Sequence, residues 1–194
     1  MISDVKILDV TLLSDNWFKL RKFTYEGTQK DGSKIVHTRE AYDRGNGAVI
    51  LLYNKDAQTV VLTRQFRLPT FVNGNADGML IEACAGLLDQ DNAEDCIRRE
   101  TEEETGYRIT NIKKVFEAYM SPGSVTEILY FFIAEYSPEM EIHEGGGIAE
   151  EEENIERLEL DFQESLAMMD DGRIKDGKTI MLLQHLALKG LMNK

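Results

Sequence analysis

The sequence predicts a mixed α/β (α+β) fold, and three observations carry that prediction. Short runs rich in β-branched and aromatic residues at 48–53, 59–62, 112–119 and 128–136 read as strands. Three other segments, 91–105, 162–171 and 178–192, read as helices, the first and last from apolar residues at helical spacing. The two kinds of element are mixed along the chain, which calls for helices packed on a sheet.

The elements follow in order. Residues 1–43 are strand material: 17–25 alternates aromatic or apolar with polar residues, and 35–42 follows a turn signal at Lys30, Asp31, Gly32 and Ser33. A second section opens after Asp43, Arg44, Gly45, Asn46 and Gly47. The chain is therefore divided into an N-terminal β extension, 1–43, and a main domain, 44–194. The runs 48–53 and 59–62 are split by Asn54, Lys55 and Asp56, suggesting a hairpin that feeds a central sheet. Residues 71–79 are loop-like, with Asn73, Gly74, Asn75, Asp77 and Gly78. Strands at 112–119 and 128–136 come next. Gly145, Gly146, Gly147 and the acidic run 150–153 read as a loop. Leu182, Leu183, Leu186 and Leu191 give the last helix its apolar side.

Length and charge narrow the function. A chain of 194 residues, 42% hydrophobic, fits one domain with a small addition and is long enough to bury a core. The net charge of −13, from 35 acidic and 22 basic side chains, repels polyanions and disfavours nucleic-acid binding. A phosphorylated small molecule remains compatible, because divalent cations invert the local sign of a carboxylate cluster. No run approaches the ~18 apolar residues of a membrane span, and Asp4, Lys6 and Asp9 interrupt the start, so neither membrane insertion nor a signal peptide is expected. A cytoplasmic location follows by default. Cys84 and Cys96 read as reduced packing residues, and His37, His143 and His185 are scattered.

The most informative segment is 91–105. Asp91 with Glu94 has capping-box spacing, and Gly106 stands where a helix would end. At about 100° per residue, Ala93, Cys96 and Ile97 share one side, Glu100 and Glu104 fall in the middle of it, and Glu103 lies at its edge. Asp95, Arg98 and Glu102 point away and read as a solvated face. Half-buried carboxylates at i,i+4 repel each other and need a proton, an arginine or a cation. With Glu103 they form an i, i+3, i+4 set suited to oxygen-ligated Mg²⁺ or Mn²⁺.

The run from Arg99 through Glu100, Glu103, Glu104 and Gly106 to Tyr107 resembles the second half of the Nudix box, with Gly86 as its opening glycine. Two departures are visible: four residues rather than five precede the first acidic position, here Asp91, and Thr101 is a soft match to an apolar position. Asp91 is expected to cap the helix. Arg64, Gln65, Phe66 and Arg67 resemble the R-Q-x-R strand of the sugar-nucleotide and ADP-ribose pyrophosphatase branch. The segment from Ser121 to Glu127 resembles its S-P-G-x-x-x-E loop, and the glycines with Glu151 and Glu153 resemble its late acidic loop.

This resemblance implies a Nudix α/β/α sandwich with a mixed central sheet and an N-terminal antiparallel extension that serves a homodimer. It implies hydrolysis of a nucleotide sugar, GDP-mannose first and ADP-ribose as the alternative; a non-cleaving nucleotide sensor is a third reading, opposed by the intact box carboxylates. Metal ligands would be Glu100, Glu104, Glu153 and the main-chain oxygen of Ala85. Glu151 or Glu153 would be the general base, with Glu103 supporting the cluster and Arg99 orienting carboxylates. Substrate contacts would come from Trp17, Arg39, Glu40, Arg67, Gly86, Leu87, Glu127, Glu152 and Lys178. Plainer readings stand beside these: Trp17 as core, Arg67 and Lys178 as surface residues, 121–126 as a simple turn, and Glu152 as a solvated side chain. Arg39 and Glu40 stand after Thr38, where the resembling enzymes often carry a lysine.

Overall fold

The computed structural model describes residues 1–147 and 154–193. The chain divides into two compact units, Met1–Asn46 with Tyr119–Ile128, and Gly47–Ala118 with Leu129–Lys194.

The first unit is a three-stranded antiparallel sheet, β1 (Ile2–Asp15), β2 (Lys19–Gln29) and β3 (Lys34–Asp43), in that order. The β2–β3 turn forms where Asp31 accepts a hydrogen bond from the Ser33 N–H at 3.0 Å, with Gly32 at φ +86°. β2 and β3 pair without interruption from Lys19↔Asp43 to Thr28↔Lys34. Pairing of β1 with β2 slips three times, and Asp4 sits at φ +49° beside the first slip. β1 is an edge strand with Ile2, Val5, Ile7, Leu8, Val10, Leu12 and Leu13 exposed in this chain. The loop 119–128 joins the unit through a parallel bridge, Tyr42 N–H to Ser124 O at 2.8 Å and Thr126 N–H to Tyr42 O at 3.0 Å.

The second unit is a mixed sheet. Its strands are β4 (Gly47–Asn54), β5 (Thr59–Phe66), β6 (Met79–Glu82), β7 (Ala85–Leu87), β8 (Ile112–Tyr119), β9 (Ile128–Glu135) and β10 (Glu156–Asp161). The order is β10-β5-β4-β9-β8, with β6 paired to β5 and β7 to β4. β4 runs parallel to β9 and antiparallel to β5 and β7. The continuous apolar run Ala48 to Leu52 is buried throughout, as a central strand covered on both faces requires.

The helices are α1 (Leu68–Val72), α2 (Ala93–Thr105), α3 (Phe162–Asp170) and α4 (Gly177–Leu188). Cys96 and Ile97 of α2 pack with Ala48, Ile50 and Leu52 in one core. The intervening residues of β4 point the other way, and Phe131, in register with Val49, stacks on Phe116, which meets His185 of α4. Leu182, Leu183 and Leu186 of α4 are fully buried on that side. Helix, sheet and helix thus form the three expected layers.

Several expectations change. The helix over 91–105 starts at Ala93, and its N-cap is Asn92, whose side chain accepts from the Glu94 and Asp95 N–H groups at 3.1 and 3.0 Å. Asp91 is not the cap; its carboxylate faces Arg99 at 3.7 Å. The reason is chemical equivalence: Asn92 caps as well as Asp91, and its amide also reaches Asp95 at 2.6 Å. The loop-like stretch 71–79 begins within the end of a short helix, α1, which has Pro69 in its first turn. The strand over 59–62 continues to Phe66, because β6 supplies a partner for it. The last helix ends at Leu188 rather than Met192.

Candidate active site

Helix α2 presents its carboxylates against the β6–β7 corner. Glu104 is buried, at 2% exposure, and Glu100 is half-buried one turn earlier. Their placement depends on two glycines. The Glu100 carboxyl lies on the Cα of Gly86, so a methyl group at that position would overlap it. Gly106 closes the helix in the left-handed conformation at φ +76°, its N–H bonded to Glu102 O at 2.9 Å. The glycine run then satisfies α2's last carbonyls: Gly146 N–H reaches Glu104 O at 2.9 Å and Gly147 N–H reaches Glu103 O at 3.1 Å. Ile155 N–H returns to Gly146 O at 3.2 Å, so both flanks of the acidic segment are anchored at this helix end. Glu151, Glu152 and Glu153 themselves lie outside the described residues.

Arg99 bridges the carboxylates on the outer side. Its Nη2 meets Glu100 at 3.0 Å and its Nη1 meets Glu103 at 2.9 Å. Beneath the helix, burial first, then the charge and hydrogen bonding of Glu104, push the Cys84 thiol well above its ordinary pKa. That thiol stays protonated, which fits the reading of both cysteines as packing residues. Burial also pushes Cys96 up to about 12, with Glu100 adding to the effect.

Glu100 and Glu103 share Arg99, and among the described residues no group of three or more His, Cys, Asp or Glu could hold a metal ion. Glu100, Glu104 and the main chain at Ala85, next to Gly86, offer only oxygen donors. That donor chemistry fits a hard divalent cation.

A second cluster, absent from the sequence reading, centres on Glu82. This carboxylate ends β6 at 2% exposure. Arg67 grips it side-on, Nε to Oε1 at 2.7 Å and Nη2 to Oε2 at 3.1 Å, and Lys178 Nζ reaches Oε2 at 2.6 Å. Lys178 also meets Asp176 at 2.8 Å. Asp176 caps α4 by accepting from the Thr179 N–H at 2.9 Å and its hydroxyl at 2.6 Å, and that hydroxyl accepts from Ala83 N–H at 2.7 Å. Burial works to raise the Glu82 pKa, but the Lys178 charge and the Arg67 hydrogen bonds and charge outweigh it and hold it low. The guanidinium of Arg67 loses charge stability to burial, yet Glu82, Glu104 and Asp176 more than restore it. Arg67 and Lys178 are therefore partners of a buried anion rather than simple surface residues.

Gly86 and Leu87 lie on β7, paired with Ala48 and Gly47, and the Leu87 carbonyl accepts from Cys96 Sγ at 3.2 Å. Four other candidates belong to the first unit. Trp17, 86% exposed, lies in the β1–β2 turn and is not a core residue of this chain. Arg39 and Glu40 are exposed on β3 opposite Phe23 and Lys22. Glu127 is ion-paired with Arg44 at 3.6 Å, and Arg44 lies 5.6 Å from the centre of the Phe18 ring.

Comparison with known proteins adds to this geometry. Residues 4–42 match the model of the GDP-mannose pyrophosphatase NudK N-terminal domain, and residues 43–181 match the NUDIX domain. The chain is 57% identical to the GDP-mannose pyrophosphatase of Pectobacterium atrosepticum over 194 residues, all of both chains. It is 56% identical to that of Klebsiella pneumoniae, covering all of this chain and 96% of the relative. Identity to the Yersinia pestis protein of the same description is 59%, over 93% of this chain and 90% of the relative.

Proposed function

The chain belongs to the Nudix family, and from that premise we propose that it hydrolyses the diphosphate of a nucleotide sugar, GDP-mannose, to GMP and mannose 1-phosphate. The observation that carries the reading is the pair Glu100 and Glu104 at the β6–β7 corner, the first half-buried against Gly86 and the second buried beside Cys84. Relatives described as GDP-mannose pyrophosphatases at 56–59% identity favour this substrate over ADP-ribose.

Mg²⁺, or Mn²⁺, would be held by Glu100, Glu104, Glu153 and the Ala85 carbonyl. Bound there, it supplies Lewis-acid neutralisation of the diphosphate charge. The chain's own groups do the rest. Arg99 orients Glu100, and Glu103 holds Arg99 from its other side. Arg67 and Lys178 bind phosphate oxygens, for which a guanidinium fork is well matched. Glu151 or Glu153 takes the proton from the attacking water. Gly86 and Leu87 line the diphosphate and sugar, Trp17 stacks on the base, and Arg39, Glu40, Glu127 and Glu152 supply further polar contacts.

A homodimer is part of the proposal. An edge strand of 14 residues with seven exposed apolar side chains is an unstable surface for a lone chain, and a second copy would cover it. No helix among the described residues is long and apolar enough to cross a membrane, which agrees with the proposed cytoplasmic location.

The test is a panel of GDP-mannose, GDP-glucose, ADP-ribose and NADH with Mg²⁺ or Mn²⁺, products separated by chromatography. GDP-mannose is expected to turn over fastest and to give GMP. Preference for ADP-ribose would replace the substrate assignment, and no turnover on any member would overturn the enzyme assignment. Sedimentation velocity reads the dimer, and a monomer at micromolar concentration would remove that part.

A further inference from the structure

Glu82 is the most deeply buried anion of the second unit that the proposed chemistry does not use, and its surroundings point in one direction. Two cations converge on it. Arg67 spends Nε and Nη2 on the carboxylate, and among the described residues its Nη1 makes no hydrogen bond. The Arg67 side chain remains 40% exposed even with Nε and Nη2 clamped, so a ligand can still reach it. Lys178, on an element 96 residues away, is brought to the same oxygen that Nη2 holds. Arg67 also feels the charge of Glu104, which sets this cluster beside the carboxylate pair of α2.

A buried ion pair is poor evidence of stability, because well-packed apolar residues could replace it at no loss. An arginine that must present one edge to a phosphate has a different need. Its flexible side chain loses rotamer entropy when held still, and a bidentate carboxylate behind it fixes it before the ligand arrives.

Resting on the nucleotide-sugar reading above, we infer that Glu82 is a positioning residue that fixes Arg67 and Lys178 as a preassembled cationic clamp for the substrate diphosphate. It touches no substrate itself. It acts through the guanidinium, fixing it by Nε and Nη2 and leaving Nη1 for the ligand, and through the lysine, holding it at the β6 end. Asp176 balances the second cation and ties the clamp to the start of α4.

A double-mutant cycle tests this in the full chain. Glu82→Gln, Arg67→Ala and the pair are assayed for KM and kcat with GDP-mannose, and for binding of inorganic pyrophosphate with Mg²⁺ by calorimetry. Glu82→Gln is expected to raise KM and the pyrophosphate Kd by about tenfold while lowering kcat less, and to add little once Arg67 is already Ala. Glu82→Asp keeps the charge but withdraws it, guards against loss of fold in the Gln variant, and is expected to give a smaller rise. Equal effects of Glu82→Gln with and without Arg67, or an unchanged pyrophosphate Kd in a folded variant, would overturn the inference. Wild-type protein silent on GDP-mannose but binding pyrophosphate through Arg67, with the affinity lowered by Glu82→Gln, would instead overturn only the substrate reading.

Discussion

The carboxyl group of Glu100 rests on the Cα of Gly86, with no room for a side chain between helix and strand. The requirement at Gly86 is space rather than backbone freedom, because this glycine is not among those with positive φ. Gly86→Ala should therefore fold and still fail. A displacement near 1 Å at a reacting constellation costs about 10²-fold in rate, so kcat should fall by about that much. Circular dichroism and thermal melting should show a native-like protein, and wild-type turnover would refute the dependence of Glu100 on this contact.

Glu104 is the buried member of the pair. Replacing it by Gln preserves its volume and removes its charge, so turnover is expected to fall by orders of magnitude with the fold intact. Steady-state kinetics alongside a melting curve checks this, and unchanged activity would remove Glu104 from the site.

Reassignment of the helix cap makes a discriminating pair of variants. Asn92→Ala removes an acceptor for two N–H groups and should cost about 1 kcal/mol, which is about 2–4 °C in Tm for a chain of this size. Asp91→Ala removes only a long, exposed ion pair and should change Tm little. The reverse ranking would restore Asp91 as the cap.

Acid stability should carry the signature of Glu82. Its folded pKa lies below the usual value of 4.5, so its stabilising contribution is present above pH 4.5 and is lost as pH falls through the folded value. Breaking a buried pair costs about 3–5 kcal/mol, so Glu82→Gln should be less stable than wild type at neutral pH. Urea midpoints measured downward from pH 6 should converge for the two proteins on the acid side. A constant gap across that range would place the pH dependence elsewhere.

The helix part of the candidate site was legible because charge stood where periodicity demanded apolar residues. Glu100 and Glu104 share a helix face with Cys96 and Ile97, and such a conflict is visible without coordinates. Glu82 offered no comparable sign. It ends a strand of only four residues, too short for an alternation to be broken, and its partners are 15 and 96 residues away. The one available clue was a carboxylate closing the apolar run Met79, Leu80 and Ile81 just before the small residues of the corner. The cap was ambiguous for a simpler reason: Asp91 and Glu94, and Asn92 and Asp95, have the same spacing. The edge strand β1 was blurred by its three register slips, each of which turns alternation over.

The hydrogen bond from Ala83 N–H to the Thr179 hydroxyl also bears on when the protein becomes functional. It joins the corner next to Ala85 to a residue made 96 positions later. At synthesis rates of about 5–20 residues per second, the corner waits several seconds or more on the ribosome for the group that completes it. Sheet strands and α2 are all present by then, so an early assembly of the scaffold precedes a late locking of the catalytic corner. A nascent chain stalled before Asp176 would hold its strands and α2 but lack the α4 layer, and would be inert, with competence arriving only as the last helix emerges.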